Sequence, residues 1–318
     1  MLDEPLLSLA SVDKYFRIGS RRLHAVRNVS FTLSRGQTLG VVGESGSGKS
    51  TLGRCAIGLL TPESGRIQFD GVDIHQLTKR ALRQKRKDMQ IIFQDPIAAL
   101  NLRTTVGQNI EDPLIVHRLG NRSERSRRVF ELLDSVGLDR AHAEAFPYEL
   151  SGGQQQRVMI ARALSVRPKL VVCDEVLSAL DMSVQAQIML LLQDLQKEHH
   201  LSYVFISHSL SAVGYLSDFI AVMYLGQVVE YGPTETLLDR PRHPYTVTLF
   251  QSVLEIPDSK AHRSTLETLK GEIPSPLQLR VGCAFSSRCP WAQEICRLQP
   301  PAMTELGEGH QVACHFTE

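Results

Sequence analysis

Long apolar runs are missing from this chain. No stretch reaches the roughly 18 unbroken apolar residues that a membrane span needs, so a bilayer-crossing helix is not expected. A surplus of charge is missing too. Thirty-five Lys and Arg stand against 34 Asp and Glu, a formal net charge of +1. No global basic field is there to draw the chain to nucleic acid or anionic lipid, and no nucleic-acid partner is expected. The opening MLDEPLLSLA carries early acids and no basic region before its apolar residues, which makes it a poor secretory signal. Internal repeats and low-complexity tracts are absent. Cysteine is sparse, six in 318 residues, and in a chain expected on the cytoplasmic side disulfides are not anticipated. The local run Lys79–Lys87 (KRALRQKRK) reads as a solvated helix face. A docking surface for headgroups or a partner is the alternative.

What is present is an ordinary globular mixture, 42% hydrophobic and 22% charged, long enough for one large domain or two modest ones. TLGVVG at 38–43, KLVVCDE at 169–175 and YVFIS at 203–207 are short runs, apolar throughout before small or acidic ends. That pattern suits parallel strands covered on both faces. Between the last two, SVQAQIMLLLQDLQKEHH repeats Val184, Ile188, Leu191, Leu192 and Leu195 at helical spacing. Strand, helix and strand make a parallel α/β unit. FIAVMYLGQVVEYG reads as two strands around a Leu225-Gly226 turn. Residues 97–165 are polar and helical, with RSERSRRVFELLDSVGL amphipathic, as in a helical insertion. After about residue 240 prolines accumulate and alternation fades, so a boundary is expected near 240–256.

The chemistry begins at GESGSGKST. Gly43-x-x-x-x-Gly48-Lys49-Ser50 has the Walker A spacing. Glycines let backbone N–H groups turn inward on an anion, and the following helix adds its positive end. Lys49 can reach β- and γ-phosphates, and the Ser50 hydroxyl can ligate Mg²⁺. Gly43, Ser45, Gly46, Gly48 and Thr51 complete the expected cradle. Leu170–Asp174 fits a Walker B strand, ending on a carboxylate for Mg²⁺. Glu175 beside it can polarise a water. A flexible glycine turn and a plain strand-end acid pair are the alternatives.

Leu150-Ser151-Gly152-Gly153-Gln154, together with these two motifs, resembles the ATP-binding cassette (ABC) ATPases. In that family the LSGGQ loop faces the γ-phosphate held by another subunit, so ATP is buried between two cassettes. The resemblance assigns Ser151, Gly152, Gly153 and Gln154 to that contact. It makes Gln94 (in IIFQDP) the glutamine that contacts Mg²⁺ and water, and His208 the histidine that contacts the γ-phosphate. It places Asp181, in Ser178-Ala179-Leu180-Asp181, in the loop joining two sites. Phe16 (in VDKYF) would stack on adenine, with Tyr15 the neighbouring candidate and a core aromatic the plain alternative. Two positions depart from the family pattern: Val176 replaces a proline, and Ser209 replaces an aspartate. Neither removes a group that touches phosphate, metal or water.

Beyond the cassette, RPRHPYTVTLFQSV at 240–253, GEIPSPL at 271–277 and GCAFSSRCPWAQEIC at 282–296 look like the C-terminal region of dipeptide and oligopeptide importer ATPases, most like the second ATPase of a dipeptide system. The implied fold is α/β: a P-loop NTPase (RecA-like) ABC nucleotide-binding domain over 1–240, with an N-terminal antiparallel β subdomain and a helical subdomain at about 97–165. A small Cys-rich C-terminal region would occupy 241–318. The implied function is ATP hydrolysis that energises di- or oligopeptide import. Its partners would be two transmembrane permease subunits, a second and different ATPase, and an extracytoplasmic solute-binding protein. The chain would be peripheral on the cytoplasmic face of the inner membrane. Nickel chelates, opines, glutathione or antimicrobial peptides are alternative cargoes. A non-hydrolysing regulatory subunit and a soluble non-transport ABC ATPase are alternative classes.

Cys283, Cys289, Cys296 and Cys314 have the spacing C-x5-C-x6-C-x17-C. Four thiols so placed suggest a metal staple. The importer resemblance implies a [4Fe–4S] cluster; zinc and free thiols remain open, since spacing does not name a metal. Cys55 and Cys173 lie in apolar runs and read as core thiols. The tail is far in sequence from the phosphate motifs, which gives it a structural or redox-sensing role apart from hydrolysis.

Overall fold

The structure is a computed structural model and describes residues 4–251, 274 and 281–317. Of GEIPSPL at 271–277, only Pro274 falls within it, and the end of the 240–253 motif lies outside the described residues as well.

The chain opens with a long hairpin, β1 (Leu7–Ile18) and β2 (Arg21–Leu33), then enters the core on β3 (Thr38–Val42) and α1 (Lys49–Ala56). It returns to the first sheet as β4 (Ser64–Phe69) and β5 (Val72–Asp73), and α2 (Lys79–Lys85) leads to β6 (Met89–Ile92). A helical layer follows: α3 (Pro96–Ala99), α4 (Val106–Val116), α5 (Arg122–Ser135) and α6 (Gly152–Leu164). The core resumes with β7 (Leu170–Asp174), α7 (Met182–His199), β8 (Ser202–Ile206), α8 (Leu210–Leu216), β9 (Phe219–Tyr224) and β10 (Gln227–Pro233). The described remainder is α9 (Thr234–Asp239), α10 (Pro244–Gln251), α11 (Glu294–Leu298), β11 (Thr304–Gly307) and β12 (His310–Val312).

Two sheets result. One is antiparallel in the order β2-β1-β4-β5. The other runs β11-β12-β10-β9-β3-β8-β7-β6, parallel from β9 to β6 and antiparallel beyond. The wholly apolar strands are buried on both faces. Val171, Cys173, Tyr203 and Phe205 face the helical layer, while Leu170, Val172, Val204 and Ile206 face α1 and the antiparallel sheet. Alternate side chains of a strand point to opposite faces, so each strand feeds two cores.

Local signals set the helical layer. Thr105 with Gln108, and Asn121 with Glu124, form reciprocal capping boxes that satisfy the first N–H groups of α4 and α5. Leu225 and Gly226 take φ of +46° and +86°, the left-handed pair that a two-residue hairpin between β9 and β10 requires. Part of the basic run is used internally: Lys85 pairs with Asp70, and Arg86 donates to the Gly58 carbonyl at 2.6 Å. Among the described residues no helix is long and apolar enough to cross a membrane.

The expected break near 240–256 spans α10, and its part beyond residue 251 lies outside the described residues. The described tail beyond does not stand apart. β12 pairs with β10 and extends the core sheet, and Ala284 and Phe285 join the helical-side core. Glu230, fully buried on β10, accepts from the Arg242 and His243 N–H groups at 2.7 and 2.9 Å and from His310 Nε2 at 2.8 Å.

Asp70, at the β4–β5 turn, ties the two sheets through Lys169, Arg35 and Lys85. Lys169 foremost, then Arg35 and Lys85, hold its carboxyl well below the usual carboxylate range. A depressed carboxylate stabilises the fold above its unfolded pKa, and that stability is lost as pH falls through the folded pKa. Asp70→Asn keeps the side chain's tolerance for its φ of +55°. It is expected to cost about 1 kcal/mol near pH 7, after allowing for solvent screening. Urea midpoints should show that deficit shrinking below about pH 4.

Candidate functional site

The loop between β3 and α1 is shaped by backbone contact. Gly43 has φ +150° and Gly48 φ +103°; a Cβ on either would sit 2.1 Å from a carbonyl oxygen, of Met223 and Ala25 respectively. Only glycine fits both constraints. α1 starts at once with Lys49, so the loop's N–H groups and the helix's positive end share one concavity.

Lys49 is buried, and its Nζ donates to the carbonyls of Gly43 at 2.8 Å and Glu44 at 3.0 Å. Burial lowers its pKa, while Glu175, Asp174 and Glu44 pull it back up. The ammonium is thus set among acceptors that a phosphate oxygen can replace. Ser50 Oγ donates to Asp174 Oδ1 at 2.6 Å. Asp174 is 2% exposed, so a strand-end carboxylate and a hydroxyl stand paired at the foot of the loop, the donor set of a hard divalent cation.

Glu175 turns out of β7 with φ +51°, and its N–H donates to the Ile206 carbonyl at 2.9 Å. Its carboxylate reaches His208 Nδ1 at 3.8 Å, and the His208 side chain is 62% exposed. Gln94 is exposed two residues beyond β6, whose Ile92 pairs with Cys173. It therefore stands at the same sheet edge as Asp174, and no hydrogen bond holds its side chain among the described residues.

The structure thus assembles Lys49, Ser50, Asp174, Glu175 and His208. It does not bring the 151–154 segment to them. Ser151 caps α6, its Oγ accepting from the Gln154 N–H at 3.4 Å while Gln154 Oε1 accepts from the Ser151 N–H at 2.9 Å. Gly152 and Gly153 form the first turn and pack beside Leu180 and Val184. This places the segment next to Asp181, which caps α7 by accepting from the Val184 N–H and the Ser183 hydroxyl; those bonds hold its carboxyl below the usual range. Among the described residues no hydrogen bond joins 151–154 to the phosphate loop. The two departures have local roles: Val176 is 2% exposed in the core, and Ser209 caps α8.

Of the two aromatic candidates, Tyr15 is engaged. It stacks on His24 at 3.9 Å, with the Arg22 guanidinium 4.8 Å from its ring. Phe16 makes no ring stack among the described residues, and Lys14 Nζ lies 5.5 Å from its centroid.

Three features of the site were not foreseen. Ser47, within the loop, is 2% exposed, and among the described residues its Oγ has no hydrogen-bond partner. The Glu44 N–H donates to Tyr245 Oη at 2.9 Å. The Glu44 carboxylate takes both Arg288 nitrogens, at 2.8 and 3.0 Å. Sequence distance had set the tail apart from the phosphate chemistry; the fold puts Arg288 against the loop. A partner 244 residues away leaves no local signal.

All six cysteines are free thiols. Cys55 and Cys173 are buried in the core, and burial raises both. Cys283, Cys289, Cys296 and Cys314 line one cavity of about 380 Å³, walled by Phe285, Trp291 and Phe316. Burial pushes the Cys289 thiol up to about 11 and raises Cys283 and Cys314, and the neighbouring tail sulfurs add to each shift. Among the described residues no three His, Cys, Asp or Glu side chains are drawn together as a ready metal site.

Comparison with known proteins agrees with this arrangement. Residues 26–178 match the ABC transporter family, and residues 229–296 match the oligopeptide/dipeptide transporter C-terminal region. The oligopeptide transport ATP-binding protein AppF of Bacillus subtilis is 46% identical, the alignment covering 98% of each chain. A putative peptide import ATP-binding protein of Brucella ovis is 43% identical over 99% of this chain and 98% of its own. Among solved structures, the dimeric ATP-binding cassette MJ0796 in a post-hydrolysis state with ADP and Pi superposes with a TM-score of 0.67 and 31% identity, over 72% of this chain and 98% of that one. CbiO1 of Clostridium perfringens, part of the cbiONQ transporter complex, gives 0.68 at 28% identity, over 80% and 97%. With its phosphate loop, paired Ser50 and Asp174, and separate LSGGQ cap, the chain belongs to the ATP-binding proteins of ABC transporters, in the group that carries the oligopeptide/dipeptide C-terminal region.

Proposed function

We propose that this chain hydrolyses ATP to drive import of di- or oligopeptides, as one cassette of an ABC importer. The observation that carries the reading is the convergence of Lys49, Ser50, Asp174, Glu175 and His208 at one sheet edge, in a chain whose curated relatives are named for peptide import.

The roles follow from the chemistry of each group. The N–H groups from Gly43 to Thr51 and the Lys49 ammonium bind phosphate, with Ser45, Gly46 and Gly48 in the loop. Phe16, which stacks on no other ring among the described residues, offers a face for adenine. Ser50 and Asp174 would hold Mg²⁺, with Gln94 at the same edge; the hydroxyl and carboxylate present suit it. Bound there, the cation neutralises charge on the phosphates. Glu175 accepts a proton from the attacking water, and His208 steadies the γ-phosphate. The group at Ser151, Gly152, Gly153 and Gln154, with Asp181 nearby, makes no hydrogen bond to its own phosphate loop among the described residues. That supports completion of the site by a second cassette, read here as a different ATPase. Two permease subunits would dock near Gln94 and the helical layer, fed by an extracytoplasmic solute-binding protein, with the chain peripheral on the cytoplasmic face of the inner membrane.

We place a thiolate-ligated group at Cys283, Cys289, Cys296 and Cys314, a [4Fe–4S] cluster in preference to zinc. The donor set fits: four free thiols around one largely apolar cavity. The raised pKa values of Cys283, Cys289 and Cys314 mean that binding must release protons. A cluster supplies a cross-link among the four sulfurs and a redox centre.

Three measurements test these readings. Glu175→Gln in the assembled complex should cut ATPase about a hundredfold or more while MgATP binding persists; unchanged turnover would make the chain non-hydrolysing. Phe16→Ala should raise the KM for ATP about threefold to tenfold, the loss of one base–aromatic stack, and Tyr15→Ala should not. Protein purified without oxygen should carry about four irons and four acid-labile sulfides per chain, lost in Cys289→Ser. Zinc, or no metal, rejects the cluster and leaves the cassette intact.

A further inference from the structure

The phosphate loop is held from outside by a residue that no motif accounts for. Arg288 lies in the C-terminal segment. Its Nη1 meets Glu44 Oε2 at 2.8 Å and its Nη2 meets Glu44 Oε1 at 3.0 Å. This is a fork-on-fork pair, fixed in direction as well as charge. The Arg288 side chain is only 5% exposed. Its guanidinium sits 5.9 Å from the Tyr224 ring centroid, and Nη1 reaches Tyr224 Oη at 3.4 Å. The Tyr224 ring in turn packs tilted on Tyr245 and edge-on to Phe285, and those two rings meet each other at a tilt. Tyr245 also takes the Glu44 N–H, so the backbone and the side chain of Glu44 are both anchored on residues C-terminal to the nucleotide motifs.

A carboxylate directly after Gly43 is a liability in an anion cradle. It repels phosphate, and it already acts on Lys49 together with Glu175 and Asp174. Freed, it would compete with phosphate for that ammonium. We propose that Arg288 is a positioning residue for nucleotide binding, acting through Glu44: it neutralises that carboxylate and keeps it turned out of the cradle. Arg288 directly precedes Cys289, which lines the cysteine cavity. The tail is then a working part of the nucleotide site, whatever its sulfurs hold.

The inference rests on ATP being the ligand of the loop, and the unaltered full-length chain controls for that. If it fails to bind a fluorescent ATP analogue with Mg²⁺, the ATP reading falls; a defect confined to variants concerns Arg288 alone. Arg288→Ala should raise the Kd about tenfold, as if the binding-ready loop fell to about a tenth of the population. Adding Glu44→Gln to Arg288→Ala should recover most of the loss, because the stray charge is gone. A tail that only braces the fold gives no such recovery. Where Arg288→Ala does not fold, Arg288→Gln, similar in reach but uncharged, is read the same way. Affinity within about twofold of the unaltered chain, in the single variant that folds, overturns the inference. So does a double variant as weak as the single one.

Discussion

Three parallel strands end at one level, and the site depends on that register. β3 lies between β9 and β8, and β8 lies beside β7. Val41 and Asp174 both pair with Ile206. The loop after β3, Asp174 and Glu175 after β7, and His208 after β8 therefore leave the sheet side by side. Glu175 extends the ladder by one bond, to the Ile206 carbonyl, before its positive φ turns the chain out. A slip of one residue would exchange the two faces of a strand and bury the wrong side chains. Burial on both faces forbids that slip, so the packing that stabilises the sheet also places Asp174, Glu175 and His208 beside the loop.

The helix that follows the loop is aimed by the same packing. Gly53 of α1 lies so close to the sheet that a Cβ there would sit 2.7 Å from Ile206 Cδ1 and 2.9 Å from Val172 Cγ1. A larger residue would lift α1 and swing its N-terminus off the loop's axis. The anion-binding end of α1 is thus aimed partly by a glycine packed against the sheet. Specific phosphate chemistry here is a by-product of close helix–sheet contact.

Much of this was legible in the sequence because the signals are local. Apolar runs ending in Gly43, Glu175 and Ser207 marked strands whose observed ends differ by at most one residue, and the chemistry sits at those ends. The core thiols Cys55 and Cys173 follow from their immediate apolar neighbours. What escaped depends on partners far along the chain. β11 and β12 are short, and β11 is exposed along its length, so no alternation announces them; they exist because β10 offers an edge. Asp70 looks like an ordinary turn residue, and its role comes from Lys169 and Arg35 across the fold. Glu44 reads as filler between glycines until Arg288 is placed on it.

The tail shows why composition is a poor guide to domain structure. Proline and cysteine suggested a separate appendage after residue 240, and by composition it is one. By packing it is not, in the residues described. The buried Glu230 carboxylate would be costly unless its lone pairs were met, and the groups that meet it come from the segment at 242–243 and from His310. Removing the tail would leave that charge unpaired, strip Phe285 from the rings of Tyr224 and Tyr245, and free Glu44. Each of those groups borders the nucleotide loop or the strand that backs it. The cassette in this chain is therefore complete only with its C-terminal segment folded in place, and the cysteine cavity, walled by His243 and Phe285 as well as by the four thiols, lies within the same packed body as the phosphate loop.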